Sequence, residues 1–262
     1  MGQRVDAVIL AGGEPDKTDP LLEYAQVQKK PLIKIAGKEM VRYVVEAIAG
    51  CPRVDHIVLV GLGPEDGVEL GVPVEYVAAR GDILDNCMAG MDHLEAINPS
   101  VEWVIFSSTD IPLLTTEVVD YFIDACLESE ADISYAVVEK SVMEARYAEA
   151  GRTFVTLRDG SFAGGDMFMI RSSAVQANLP LIHRIIDARK SPWRLVKLIG
   201  LKMIFKFLTR QLTIAEAEAL VSRALNCRSK AILSPYAEIG MDVDKVHQLQ
   251  FVRAIIEGRC SL

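Results

Sequence analysis

The sequence predicts an α/β fold, a doubly wound, three-layer α/β/α domain built on a mainly parallel mixed sheet. Two observations predict it. Short apolar runs alternate with amphipathic helical segments as far as about residue 135, the alternation that builds parallel sheets with helices on both faces. Turn glycines (Gly12-Gly13) and a lone acid (Asp110) then fall just past the ends of two of those runs, where such sheets collect their ligands.

Val5–Leu10 is a short apolar run closed by Ala11-Gly12-Gly13 and reads as a buried parallel strand. Residues 14–30 are polar, with Pro15 and Pro20, and read as a long loop holding at most a short helix. Loops of that length in compact domains are commonly functional. Residues 38–49 show helical spacing, with Met40, Val44, Val45 and Ile48 on one face and Pro52 beyond the end. Strands are predicted at 56–60 and 74–77, a helix at 85–97 and a strand at 103–107. A helix at 115–129 opens on the hydroxyl caps Thr115 and Thr116, and a strand follows at 132–138. Further on, a strand is predicted at 162–171, opened by Gly164-Gly165, with helices at 174–188, 213–225 and 244–257. No internal repeat or low-complexity segment interrupts the chain. Residues 1–262 are therefore expected to form one domain, with a basic, apolar helical insert at about 184–225.

With 50% hydrophobic residues among 262, the chain can bury a large core without disulfide or metal staples. The five cysteines (Cys51, Cys87, Cys126, Cys227, Cys260) are odd in number and show no zinc spacing, so a reduced, cytoplasmic setting is expected. The N-terminus lacks the charged and apolar regions of a signal peptide, and no transmembrane helix is expected. A net charge of −8 argues against general nucleic-acid binding.

Four segments carry chemistry. In Leu10-Ala11-Gly12-Gly13, glycines after a buried strand let the backbone approach a ligand and offer bare N–H groups to phosphate oxygens; a plain turn is the other reading. In Lys30-Pro31-Leu32, the lysine supplies a compact point charge for phosphate, or is a solvated surface residue. Asp110, in Ser107-Ser108-Thr109-Asp110-Ile111-Pro112, ends an apolar strand, a place suited to a hard cation beside phosphates or to a turn. In Met241-Asp242-Val243-Asp244, two acids at i and i+2 on extended backbone point the same way. One or both can complete a metal site with Asp110, and Asp244 can cap the following helix.

Together these segments, in this order and across nearly the whole chain, resemble the MobA-like nucleotidyltransferases, the molybdenum-cofactor guanylyltransferase-like group of the GT-A-like fold. The resemblance implies that Leu10, Ala11, Gly12 and Gly13 hold the base and triphosphate, and that Lys30 binds phosphate. It implies that Asp110 and Asp244 hold Mg²⁺, with Asp242 the less favoured ligand. The family pattern G-G-x-S-x-R-M-G is replaced here by Gly12-Gly13-Glu14-Pro15-Asp16-Lys17-Thr18-Asp19, so Lys17 stands where the catalytic arginine is expected. Lysine lacks arginine's bidentate fork. Gly81, Asp82 and Asn86 resemble the base-recognition turn of the methylerythritol-phosphate cytidylyltransferases, which tilts the base toward CTP, with GTP next. A loop with a helix cap also explains them. Gly165 and Asp166 resemble the segment lining the acceptor side, with a hairpin turn as the alternative.

Residues 184–210 hold eight basic residues against one acid, a local charge of +7 that leaves −15 for the rest. Apolar residues fill the gaps, and Pro192 and Gly200 divide the stretch into two short helices. Such a segment shapes an acceptor site or touches an anionic membrane surface through residues 190–210; the plainer reading is a helical subdomain with solvated lysines. The expected activity is Mg²⁺-dependent transfer of a nucleoside monophosphate from an NTP to a phosphorylated or hydroxylated acceptor, small or lipid-linked, with release of pyrophosphate. A GT-A glycosyltransferase using Asp242-Val243-Asp244 as its D-x-D motif, or a nucleotide-binding protein without catalysis, would use the same segments.

Overall fold

The computed structural model describes residues 3–12, 19–174, 178 and 200–259. In the interior of the sheet is β1 (Val5–Leu10), apolar but for Asp6 and buried along nearly all its length, as a strand covered on both faces must be. The buried Asp6 carboxylate is satisfied by the Asn98 side-chain amide at 2.8 Å and the His56 backbone N–H at 3.1 Å. β1 pairs in parallel with β4 (Val54–Val60) and β6 (Trp103–Ser108). β5 (Glu75–Val77) extends the sheet past β4. On the other side β9 (Gly160–Arg171) runs antiparallel to both β6 and β7 (Ile133–Glu139). β10 (Ser229–Ser234) lies parallel to β7 at the far edge. The order is β10-β7-β9-β6-β1-β4-β5, with β8 (Val155–Leu157) hairpinned onto β9. A small ladder of β2 (Lys34–Ile35) and β3 (Lys38–Glu39) stands apart.

Alternating strand residues build two cores. Val8, Val58, Val60, Val104 and Phe106 pack beneath α3 (Ile83–Ile97) through Ala89, Met91 and Leu94. Ala7, Ile9, Leu59 and Ile105 face the opposite layer, where α2 (Met40–Ala49), α4 (Thr116–Glu128) and α8 (Val246–Ile256) contribute Val44, Phe122 and Leu249. This is the predicted three-layer, mainly parallel mixed sheet. The short helix α1 (Pro20–Ala25) falls inside the predicted long loop, capped by the Asp19 carboxylate.

Several boundaries move for local reasons. The helix predicted from 38 begins at Met40, because Lys38 and Glu39 pair with β2. The helix predicted from 85 begins at Ile83, because Asp82 caps it through the N–H groups of Leu84 and Asp85. The helix predicted from 244 begins at Val246, because the Gln248 side chain accepts from the N–H groups of Asp244 and Lys245. Gly164 and Gly165 do not open a strand or form a hairpin turn. They lie within β9, next to a register shift against β7. α5 (Lys140–Tyr147), β8 and β10 fall on stretches for which the sequence predicted no element.

The helix predicted at 174–188 lies largely outside the described residues, as does the insert before Gly200. From there the insert forms α6 (Leu201–Leu208), with Gly200 at its N-cap; the first of the two helices predicted on either side of that glycine lies outside the described residues. α7 (Ile214–Leu225) follows, capped by a reciprocal pair of bonds between Thr213 and Glu216. No helix among the described residues is long and apolar enough to cross a membrane.

Candidate functional site

The candidate site lies at the carboxyl ends of β1 and β6. Leu10 pairs with Ser108 in the parallel ladder, so Gly12 and Asp110, each two residues further on, leave the sheet side by side. Gly12 (φ +104°) and Gly61 (φ +101°), which follows β4, are packed together. A Cβ on Gly61 would come within 2.5 Å of the Gly12 carbonyl oxygen, so a side chain here would push the strand-end turn out of place. Asn86, buried on α3, fastens the same turn from the other side. Its carbonyl accepts from the Arg80 N–H at 2.8 Å, and its amide reaches the Gly12 and Gly81 carbonyls at 3.5 Å. Gly81, Asp82 and Asn86 thus form a helix-capping turn tied to the glycine loop. Gly13 and Lys17 lie outside the described residues.

Lys30 is placed by a short 3₁₀ turn, Lys30–Leu32, anchored by buried Pro31. Its ammonium bridges two carboxylates, Asp110 Oδ2 and Asp244 Oδ1, each at 2.5 Å. The three residues stand 80 and 214 positions apart along the chain, and folding brings all of them to one point. Ser108 Oγ donates to the other Asp110 oxygen. The Asp110 carbonyl accepts from the Val243 N–H at 2.8 Å, which clips the C-terminal acid segment directly onto the β6 motif. The Asp244 carboxylate does not cap α8, because Gln248 serves the N–H groups there.

Asp242 and Asp244 engage different cations. The Asp242 carboxylate, 12% exposed, is paired with the equally buried Arg152 guanidinium, which also donates to the Gly164 carbonyl at 3.2 Å. Such a division of labour differs from a D-x-D pair acting on one ion. Asp166 projects from β9 into the same region. Its buried Oδ2 has no hydrogen-bond partner among the described residues.

The protonation states follow from this crowding. Burial works against the Lys30 charge, but Asp110 and Asp244 outweigh it and hold its pKa above the ordinary lysine value. Burial likewise disfavours the Asp244 anion, yet Lys30 holds its pKa below the usual carboxylate range. Asp166 is pushed up to about 8, first by burial and then by the charges of Asp110 and Asp242. Burial raises Asp242 too, against the pull of Arg152. Four acids therefore face two bases, and the carboxylate without a cation is the one whose proton is held most tightly.

The model of the MobA-like NTP transferase domain matches residues 7–188. The chain belongs to the MobA-like NTP transferase family. As a family member it is 32% identical over 133 residues to a molybdenum cofactor guanylyltransferase of Rhodopseudomonas palustris, a match covering 50% of this chain and 59% of that protein. A hypothetical transferase from Thermus thermophilus is 33% identical, with a TM-score of 0.81 over 94% of this chain and 100% of that one. The fold is shared more distantly with a CMP:2-keto-3-deoxy-manno-octonic acid synthetase complexed with CTP (14% identity, TM-score 0.58, covering 99% of this chain and 100% of that one). It is also shared with the 4-diphosphocytidyl-2C-methyl-D-erythritol synthase of Anaerococcus prevotii (11% identity, TM-score 0.58, covering 97% and 96%).

Of the residues singled out from the sequence, Lys30, Asp110 and Asp244 meet directly, and Asp166 and Asp242 stand within electrostatic reach of them. Sequence reasoning missed Ser108, Gln248 and Arg152. Ser108 adjoins Asp110 and is a polar residue at the end of an apolar strand, a signal that was there to be read. Arg152 lies in a loop before β8, with no periodicity around it and a partner ninety residues downstream.

Proposed function

We propose that this chain is a nucleotidyltransferase. It binds an NTP at the Leu10–Gly13 turn and transfers the nucleoside monophosphate to an acceptor oxygen, with release of pyrophosphate. The observation that carries the reading is the Lys30 bridge between Asp110 and Asp244 beside the Gly12 turn. It puts a phosphate-binding cation and two hard oxygen donors at the mouth of a backbone turn suited to a triphosphate. The attacking oxygen of the acceptor, a hydroxyl that gives up its proton to solvent or a phosphate, bonds to the α-phosphorus. The bond from that phosphorus to the bridging oxygen breaks, and that oxygen leaves with the pyrophosphate. Lys30 steadies the phosphate oxygens, Asp110 is held in place by Ser108 and Val243, and the N–H groups of the glycine turn cradle the chain of phosphates. Catalysis on this reading is positioning and charge neutralisation. The backbone of the turn at Gly81, Asp82 and Asn86 faces the base, and Gly165 and Asp166 face the acceptor.

Mg²⁺ fits the donors present. Among the described residues no group of three or more acids, histidines or cysteines forms a metal cage. Two convergent carboxylates suffice for Mg²⁺, which commonly takes one or two acids and completes its shell with water and substrate phosphates. Asp110 and Asp244 would hold it. When bound, the ion would neutralise charge on the triphosphate and the departing pyrophosphate.

The NTP is proposed to be CTP or GTP. The Rhodopseudomonas relative is named for guanylyl transfer, and the synthetase that shares the fold was solved with CTP. A thermal-shift series of the four NTPs with Mg²⁺ tests this, since a ligand binding only the native state raises its melting temperature. One NTP is expected to stand out, and with it Asp110→Ala is expected to abolish Mg²⁺-dependent pyrophosphate release. Undiminished release by that variant would sink the site.

A further inference from the structure

We propose that α6 is a docking surface for an anionic lipid bilayer: its apolar stripe enters the headgroup layer, and the cations beside the stripe meet lipid phosphates. The surface shares no residue with the nucleotide site and owes nothing to the nucleotidyl-transfer reading.

The helix turns its apolar residues away from the core. Of the eleven large hydrophobic residues left exposed among those described, four belong to these eight positions, and the three most exposed of all are Leu201, Phe205 and Leu208, at 74%, 68% and 73%. Their spacing of i, i+4 and i+7 aligns them on one face. They form a continuous stripe, and a stripe of that kind marks a contact surface where a lone exposed leucine does not.

No residue of α6 is buried, so the helix is not held by packing of its own side chains into the core. It is attached by polar contacts and by its end. The Lys206 ammonium pairs with the Glu216 carboxylate in the first turn of α7. The N–H groups of Gln211 and Leu212 close on the Lys206 carbonyl at 2.7 and 3.1 Å, and the Leu212 side chain is buried just beyond. The stripe takes no part in these attachments.

Charge names the partner. Residues 201–210 carry Lys202, Lys206 and Arg210 and no acid, a local +3 that leaves −11 for the rest of the chain. Lys202 lies about 100° round the helix from Leu201, on the flank of the stripe. With the stripe among the acyl chains, its stem lies along the interface while its ammonium reaches the phosphates. Arg210, exposed just past the helix, supplies a second cation there. A second copy of the chain fits less well. A helix of eight residues is about 12 Å long, too short to supply the roughly 800 Å² per partner of a stable protein interface, and two copies meeting here would set like charges against each other. A bilayer needs no matching groove to receive a single convex helix.

The test is co-sedimentation of the purified chain with vesicles of equimolar phosphatidylcholine and phosphatidylglycerol, and with vesicles of phosphatidylcholine alone. The anionic vesicles are expected to bind at least about tenfold more tightly, with the difference shrinking as salt is raised. The double variant Phe205→Asp/Leu208→Asp is expected to lose binding at least about tenfold, and to melt where the unaltered chain does because both side chains are exposed. Lys202→Glu/Arg210→Glu should weaken binding to the anionic vesicles and leave binding to phosphatidylcholine unchanged. Absence of the chain from the vesicle pellet, or unaltered sedimentation of Phe205→Asp/Leu208→Asp, would overturn the proposal. So would a dimer, seen by light scattering, that the same double variant dissolves, since the stripe would then belong to a second copy of the chain.

Discussion

The two sides of the site are built differently. The side at β1 and β4 is made of backbone: turns at Gly12 and Gly61 packed against each other and an asparagine fastening them. The side at β9 and the 242–244 segment is made of charged side chains drawn from Arg152, Asp166, Asp242 and Asp244. Lys30 stands at the seam, shared between Asp110 from the first side and Asp244 from the second. On the nucleotidyl-transfer reading, the backbone side takes the triphosphate. A side-chain cluster can be altered one residue at a time, which suits an acceptor that differs from one relative to the next.

The seam is the place to break this comparison most severely. Lys30→Ala should lower kcat/KM by about 10²–10³, the usual effect of deleting one aimed donor. Lys30→Arg should not restore it, because a planar fork does not replace a point charge held by two carboxylates at once. Steady-state kinetics on the two variants checks both statements.

The side-chain half should yield a loss of stability instead. Arg152→Ala strands the buried Asp242 carboxylate, at a cost of about 3 kcal/mol. Melting should fall by several degrees, and adding Asp242→Asn should recover part of the loss. A full-strength Arg152→Ala protein would show the pair to be idle.

A pH series sharpens the same contrast more gently. In the folded chain Asp166 is pushed from its ordinary 3.8 to about 8. Between those values the native state keeps a proton that the unfolded chain releases. Stability conferred by the neutral carboxyl therefore drains away as pH rises through this window. Measured with a chelator present, Asp166→Asn should melt higher than the unaltered chain at pH 8, and the gap should close as pH falls toward 4. Parallel melting curves across that range would contradict the assignment.

The smallest effect is expected on the backbone side. Asn86→Ala removes one good hydrogen bond and two long ones. It should raise KM for the NTP by about 2–10-fold, the worth of roughly one net hydrogen bond, and leave kcat nearly unchanged. A change in kcat with constant KM would place Asn86 in the chemical step.

The same division governs what could be read from the sequence. Leu10–Gly12, Lys30 and Asp110 were legible because strand, turn and functional residue are contiguous, and a buried parallel strand ending in glycine or acid is a local pattern. Asp244 was legible as a motif, yet its freedom to meet Lys30 depends on Gln248 replacing it at the helix start. Arg152 was not legible, since a loop arginine acquires its role only from a partner far along the chain. Among the elements, α5 buries only Met143 and Tyr147, too few positions for a helical period to show. The edge strand β10 leaves Lys230 and Leu233 exposed, so no apolar run betrays it.

The bond from the Val243 N–H to the Asp110 carbonyl also has a meaning in time. Domains begin to fold while they are being made, N-terminal parts first. The ribosome completes β1, Lys30 and Asp110 long before residue 244 exists, so neither the second carboxylate nor the clip on β6 can form until then. The second carboxylate and that clip arrive together, when the 242–244 segment emerges and docks. Assembly of the site therefore waits on a segment made more than 130 residues after Asp110.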